Sequence, residues 1–269
     1  MIKKYLPAIA VLITLNGVAQ TYPLNRFKDT VPPNEWSDRW YKLNNSPRAF
    51  MVSLPGGQLS VSNDTLRSNT TTFALKDGEL LGVDYGEWGG GIYYAPADTT
   101  RKTFFINGRP GPTINDPFRG GLMIPKSNPL NERLRGRFLV ARGNVKFIFP
   151  YNDSLFFMTG LAHMGLNYGA LYRLGIQKDS FTVSKSIDFN DAPMAMTVYN
   201  NTIYIATYQG FYIVNKQGKE QIITKLFRGG LYPGSIAIAD EHHIYVGMRG
   251  GYSVIDLPAR QLKFFQYEP

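Results

Sequence analysis

The sequence predicts an all-β chain, a β-propeller of five four-stranded antiparallel blades with one of them degenerate, on three observations. Met194 to Tyr267 states nearly one pattern twice, with Ile203 and Ile244 in register 41 residues apart. Each half is four short β-rich runs separated by turn residues, and a four-stranded unit repeating at roughly 40–45 residues marks a propeller blade. Gly-aromatic loops follow every second run, a regularity that a β-sandwich or jelly roll does not require.

Taken in order, Met1 to Ala19 reads as a signal peptide. Lys3 and Lys4 form a positive start, Tyr5–Leu15 an apolar stretch, and Gly17-Val18-Ala19 a small-residue cleavage site. The apolar stretch falls short of the ~20 residues that cross a bilayer, so no transmembrane segment is expected after cleavage. Cysteine is absent, which excludes disulfides and a lipidated Cys. A secreted eukaryotic domain of this size more often carries disulfides, so the expected location is secreted or periplasmic, in a bacterial envelope. The sequons at Asn63, Asn69, Asn152 and Asn201 are then turn residues.

Residues 20–45, rich in Pro, Trp and charge, read as an extended lead-in that packs Trp36, Trp40 and Tyr41 on a single domain spanning 46–269. Ala49–Leu54 and Gln58–Ser62 read as a hairpin. The first full unit is expected at Thr71–Leu75, Leu80–Tyr85, Gly91–Ala95 and Lys102–Ile106, with a hairpin signal at Asp77-Gly78. Another runs Val145–Phe149, Leu155–Thr159, Gly169–Leu174 and Phe181–Ile187, with Gly160 to Tyr168 as a long loop.

Leu80 and Leu155 stand 75 residues apart, close to two units. The Gly- and Pro-rich stretch from Asn107 to Asn144 therefore holds a degenerate blade or a large insertion, with Leu122–Ile124 and Arg137–Ala141 as its strands. Five blades follow if the N-terminal hairpin contributes. Six remain open, and seven exceed the length. No amphipathic helix is expected.

The runs Ile203-Tyr-Ile-Ala-Thr207, Phe211-Tyr-Ile-Val-Asn215, Ile244-Tyr-Val-Gly-Met248 and Tyr252-Ser-Val-Ile-Asp256 resemble blades of the bacterial WD40-like and YVTN-type β-propeller group. The Trp-Asp and Gly-His dipeptides of true WD40 repeats are missing. The resemblance implies architecture alone, because propellers host enzymes, carbohydrate binders and scaffolds alike.

A formal net charge of +9 favours acidic partners at long range. The basic residues are dispersed, however, and no nucleic-acid motif accompanies them, so no nucleic acid is expected. Blade geometry gathers the loops between second and third strands, and those between blades, onto one face. That face is expected to carry Glu87, Trp88, His163, Tyr168, Tyr208, Arg228, Tyr232 and Arg249. Rings stack and Arg forks grip oxygens, so Glu87, Trp88, Tyr168, Tyr208, Arg228 and Arg249 are the expected binding residues.

No cofactor or metal is expected: histidines are isolated, although Asp188, Asn190 and Asp191 offer oxygens of the kind calcium takes. Catalytic residues cannot be assigned. The leading expectation is a non-enzymatic module binding a protein or glycan partner. One alternative is a carbohydrate-active enzyme pairing Asp84 or Glu87 with Asp188 or Asp191 across the channel mouth. Another is a structural domain of an envelope assembly.

Overall fold

The computed structural model describes residues 20–64, 68–101, 103–114, 125, 127–177, 180–223 and 230–269. The chain is all-β in character, with several antiparallel sheets and, among the described residues, two short α-helices. The expected signal peptide lies outside the described residues. Among the described residues, no helix is long and apolar enough to cross a membrane.

Residues 20–45 carry more regular structure than the extended lead-in expected of them. Strands β1 (Thr21–Tyr22) and β2 (Phe27–Thr30) precede helix α1 (Asp38–Asn44). Ser37 caps α1, its Oγ accepting from Trp40 N at 3.2 Å, while Asp38 and Lys42 suit the positive and negative ends of the helix dipole. A helix this short has no independent stability, so its tertiary contacts hold it. Trp40 and Leu43 are buried, whereas Trp36 and Tyr41 remain exposed.

The expected hairpin forms as β3 (Ala49–Ser53) and β4 (Ser60–Asp64), and β1 pairs with β4 to complete sheet 1. Sheet 2 begins with the meander β5 (Thr70–Leu75), β6 (Gly78–Asp84) and β7 (Gly90–Pro96). Its fourth strand corrects the expectation. The stretch expected as that strand instead yields β8 (Phe105–Ile106), which pairs parallel with a later strand and antiparallel with β9 (Arg109–Pro110). After helix α2 (Leu130–Leu134), β10 (Phe138–Arg142) returns to pair with β7. The described residues between Asn107 and Asn144 thus form β9, α2 and β10, and β10 supplies the fourth strand of sheet 2. Leu122–Ile124 lies outside the described residues.

Sheet 3 is β11 (Val145–Tyr151), β12 (Ser154–His163), β13 (Leu166–Gln177) and β14 (Ser180–Phe189), with β8 and β9 added at its edge. The long loop expected at Gly160 to Tyr168 is mostly strand: β12 and β13 stay paired up to His163↔Leu166. Sheet 4 is β15 (Pro193–Tyr199), β16 (Thr202–Thr207), β17 (Phe211–Asn215) and β18 (Gly218–Ile223). Sheet 5 is β19 (Ser235–Asp240), β20 (His243–Met248), β21 (Gly251–Asp256) and β22 (Gln261–Tyr267), and β2 pairs antiparallel with β22. Asn152-Asp153 and Asn200-Asn201 all have positive φ and close two-residue hairpins, where Asn and Asp tolerate that conformation best.

Neighbouring sheets meet at edge strands: β11 packs on β5, β15 on β11 and on β19, and β19 on β3. Among the described residues, four apolar clusters lie between sheets, and a fifth packs α2 on sheet 2. Leu80 and Phe157 belong to one between sheets 2 and 3, Phe189 and Ile205 to one between 3 and 4. Phe211 and Val246 join sheets 4 and 5, and Phe50 and Tyr252 join sheets 1 and 5. Burying one such side chain is worth about 1.5–3 kcal/mol, so face-to-face packing holds these sheets together.

Candidate functional site

The sheets also share polar links at one end, and these define the site. Asp84 closes β6, and its Oδ2 accepts from Lys146 Nζ on β11 at 2.5 Å, while Oδ1 accepts from Gly86 N at 3.2 Å. This pair spans sheets 2 and 3 and is mostly shielded from water. Asp84 and Lys146 line a cleft of about 270 Å³, whose other walls include Tyr85, Leu161, Met194 and Tyr232. The lining therefore comes from the ends of β6, β12 and β15 and from the segment before β19.

Glu87 and Trp88 sit in a tight turn, Gly86–Trp88, bracketed by Gly86 at φ 59 and Gly89 at φ 98. Those left-handed positions need glycine, and they leave Trp88 50% exposed at the rim. Glu87 Oε2 approaches His163 Nε2 to 2.7 Å, which ties the turn to the end of β12. The contact is an ion-pair approach and not an aligned hydrogen bond, since His163 Nε2 is enclosed and meets no acceptor at a hydrogen-bonding angle.

The β12–β13 hairpin has two different faces. Leu161↔Tyr168 and His163↔Leu166 are directly opposed pairs two residues apart, so these four side chains share one face. Leu161, Ala162 and His163 all line the cleft, and Tyr168, opposite Leu161, is 51% exposed. Asn167 lies on the other face and anchors it. Its Nδ2 donates to Asp191 Oδ1 at 2.8 Å, and its Oδ1 accepts from Ala192 N at 2.7 Å. Asp191, 5% exposed, also accepts from Thr207 Oγ1 at 2.5 Å and from Gln209 N at 3.0 Å.

On the far wall, Tyr232 holds φ 47 and its ring lies under the Arg249 guanidinium, 4.3 Å from Cζ to the ring centroid. Arg249 Nη1 donates to the backbone carbonyl of Asn44 at the end of α1. Tyr208 packs edge-on against Tyr232 with centroids 5.5 Å apart. Burial, followed by the neighbouring Tyr232, pushes the Tyr208 hydroxyl above its ordinary pKa. The Tyr208 phenol is therefore not poised for proton transfer near neutral pH.

Of the six expected binding residues, Glu87 lies against the lining residue His163, with Trp88 next in its turn, and Tyr168 pairs opposite the lining residue Leu161. Tyr208 and Arg249 lie against the lining residue Tyr232, and Arg228 lies outside the described residues. Arg249 is committed to Asn44 and Tyr232, which makes it a support of the wall. The candidate carboxylates are likewise engaged. Asp84 pairs with Lys146, Asp188 with Lys185 at 2.8 Å, and Asp191 is bonded throughout. Asp116 lies outside the described residues. Among the described residues, no group of three or more His, Asp or Glu is placed to hold a metal.

Sequence reasoning missed Lys146 and the part played by Trp36. Lys146 stands second in a β-run with nothing to flag it. Trp36 packs at a tilt against Trp40, 5.0 Å between ring centroids, and Trp40 packs against Gly230, two residues from Tyr232.

No family model and no curated protein sequence matches the chain. Among solved structures, it is similar to a chain of an S. cerevisiae complex in which variants of Dbp5 and Gle1 are bound with Nup159, IP6 and ADP, at 11% identity and a TM-score of 0.28. The match covers 81% of this chain and 62% of that one. At that score the likeness carries no argument about fold or function.

Proposed function

We propose that the five sheets are blades of a β-propeller of the WD40-like and YVTN-type group, exported to the periplasm or beyond, and that the chain binds a partner on the cleft face without catalysing a reaction. Meanders that follow one another along the chain, contact between the edge strands of neighbouring sheets and the return of β2 to the last sheet support the propeller. Four of the five interfaces that a closed ring requires have apolar clusters among the described residues.

The observation that carries the binding reading is the exposure of Trp88, Leu166 and Tyr168 beside a cleft whose charged groups are already paired with one another. Large apolar groups left in water around a concavity mark interaction sites. Acid–base chemistry needs carboxylates free to exchange protons with substrate, and paired or fully bonded ones do not meet that need. A double variant, Trp88→Ala with Tyr168→Ala, tests the reading. Partners recovered by the exported chain are expected to be lost, and their retention at full affinity would move the site elsewhere.

A further inference from the structure

We infer that the ligand of this face is a neutral oligosaccharide, an inference that rests on the binding reading above and narrows its partner to one chemistry. The first argument is charge. The chain is strongly basic, yet the cleft does not share that character. Lys146 is neutralised by Asp84, and His163 faces Glu87. A lining whose ammonium group already has a carboxylate partner offers an anion no net attraction, and displacing that partner would cost the desolvation of both charges. Hydroxyl groups suit it instead. They donate to carboxylate oxygens and accept from ammonium groups without breaking the pairs.

The second argument is the placement of aromatic faces. Trp88 and Tyr168 stand half exposed on one side of the cleft. Beyond the Tyr232 wall stands Trp36, 71% exposed and held at φ 66. A bulky aromatic residue in the left-handed region is strained, and the strain here presents a ring to water and does not bury one. Glu35 beside it is near enough to Tyr208 to act on its hydroxyl electrostatically. Flat rings flanking a polar cleft are suited to the apolar faces of pyranose rings, with the equatorial hydroxyls left for the cleft. At about 270 Å³ the cleft lies just below the ~300–1,000 Å³ of common small-molecule pockets, so it takes one sugar unit while neighbouring units lie on the flanking rings.

Glycan-array binding of the exported chain, followed by tryptophan-fluorescence titration, tests the inference. The titration probes are neutral hexasaccharides (glucan, mannan, xylan and chitin types) and hexagalacturonate as the acidic counterpart. At least one neutral hexasaccharide is expected to bind saturably, with affinity little changed between low and high salt. Trp88→Ala is expected to weaken it about tenfold, the scale of a lost aromatic anchor, and Trp36→Ala to weaken the hexasaccharide more than the matching disaccharide. Trp88 and Trp36 are exposed, so neither change threatens folding.

Failure of every neutral glycan overturns the inference, as does tighter, salt-sensitive binding of hexagalacturonate. A protein or peptide ligand lost on Trp88→Ala overturns the glycan assignment but leaves the binding face standing. Glycan binding untouched by Trp88→Ala, Tyr168→Ala and Trp36→Ala removes the face itself.

Discussion

Arg249 lies over the ring of Tyr232, 4.3 Å from its centroid, and with the same guanidinium donates to the carbonyl of Asn44. One side chain from the last sheet therefore braces the cleft wall and closes the C-terminal end of α1. Orphan carbonyls at a helix end and the negative pole of its dipole both favour a cation there.

Arg249→Ala removes both contacts. A charge-assisted hydrogen bond contributes about 1.5–3 kcal/mol and a cation–π contact about 0.5–2, with partial overlap between them. The expected loss is about 2–3 kcal/mol, seen as a lowering of Tm by roughly 5–10 °C in a domain of this size. Tyr232→Phe keeps the ring and is expected to change Tm little. An unchanged Tm for Arg249→Ala would show the brace to be dispensable.

Local strand identity was legible in the sequence because alternation and turn residues are local. Asn152-Asp153 and Asn200-Asn201 mark hairpins whose two-residue loops need positive φ, and the structure has them there. Sheet membership was not legible where the chain leaves and returns. Phe105–Ile106 and Phe138–Arg142 are both short β-runs, and nothing in either says which edge it joins. Sequence order favours the nearer one, whereas the burial of Phe138 and Val140 against sheet 2 decides for the farther.

Residue type and loop position were legible for Glu87, Trp88 and Tyr168, and the structure leaves Trp88 and Tyr168 exposed. Direction was not: whether Arg249 points to solvent or to Asn44 depends on a helix that is distant in sequence. Trp36 escaped for the same reason, since its neighbours Trp40 and Gly230 meet only in the folded chain.

Asp191 gives a sharper stability test. Asp191→Ala strips a hydrogen-bond partner from Asn167 Nδ2, Thr207 Oγ1 and Gln209 N in a largely buried position. Buried donors left without partners cost about 1–3 kcal/mol each, and some relax onto water, so a loss of about 3 kcal/mol is expected. Asp188→Ala removes an exposed pair with Lys185 and is expected to cost less than about 0.5 kcal/mol. Urea unfolding of the two variants side by side checks the contrast, and equal midpoints would contradict it.

Gly247 lies where sheets 1 and 5 come together. A Cβ built there would lie 2.3 Å from the carbonyl oxygen of Phe50, and backbone cannot swing aside as a side chain can. Gly247→Ala is expected to cost about 2–4 kcal/mol by prising the sheets apart. Gly165→Ala, at φ 86 but in open space, is expected to cost only about 1 kcal/mol of backbone strain. Chemical denaturation measures both, and a Gly247→Ala protein as stable as the parent would show that the sheets are not held at this spacing.

The turn between β19 and β20 titrates in a direction that its contacts set. Asp256 Oδ2 lies 3.1 Å from His242 Nδ1, and this hydrogen bond raises the imidazole above its ordinary pKa, helped by Glu241 and Asp240. Asp240 is lowered chiefly by its hydrogen bond to His243, and Asp256 by Ala259 N and then His242. The raised histidine stabilises the fold fully below about pH 6.5, and that contribution fades as pH rises through its folded value. The lowered carboxylates stabilise above about pH 3.9, and theirs fades as pH falls through their folded values. All three contributions coincide between about pH 4 and 6.5, and salt weakens them because the groups are exposed. A proton NMR titration is expected to place the His242 midpoint above 6.5 and to return it toward 6.5 in Asp256→Asn. A midpoint at or below 6.5 in the parent would mean that the His242–Asp256 contact does not persist in solution.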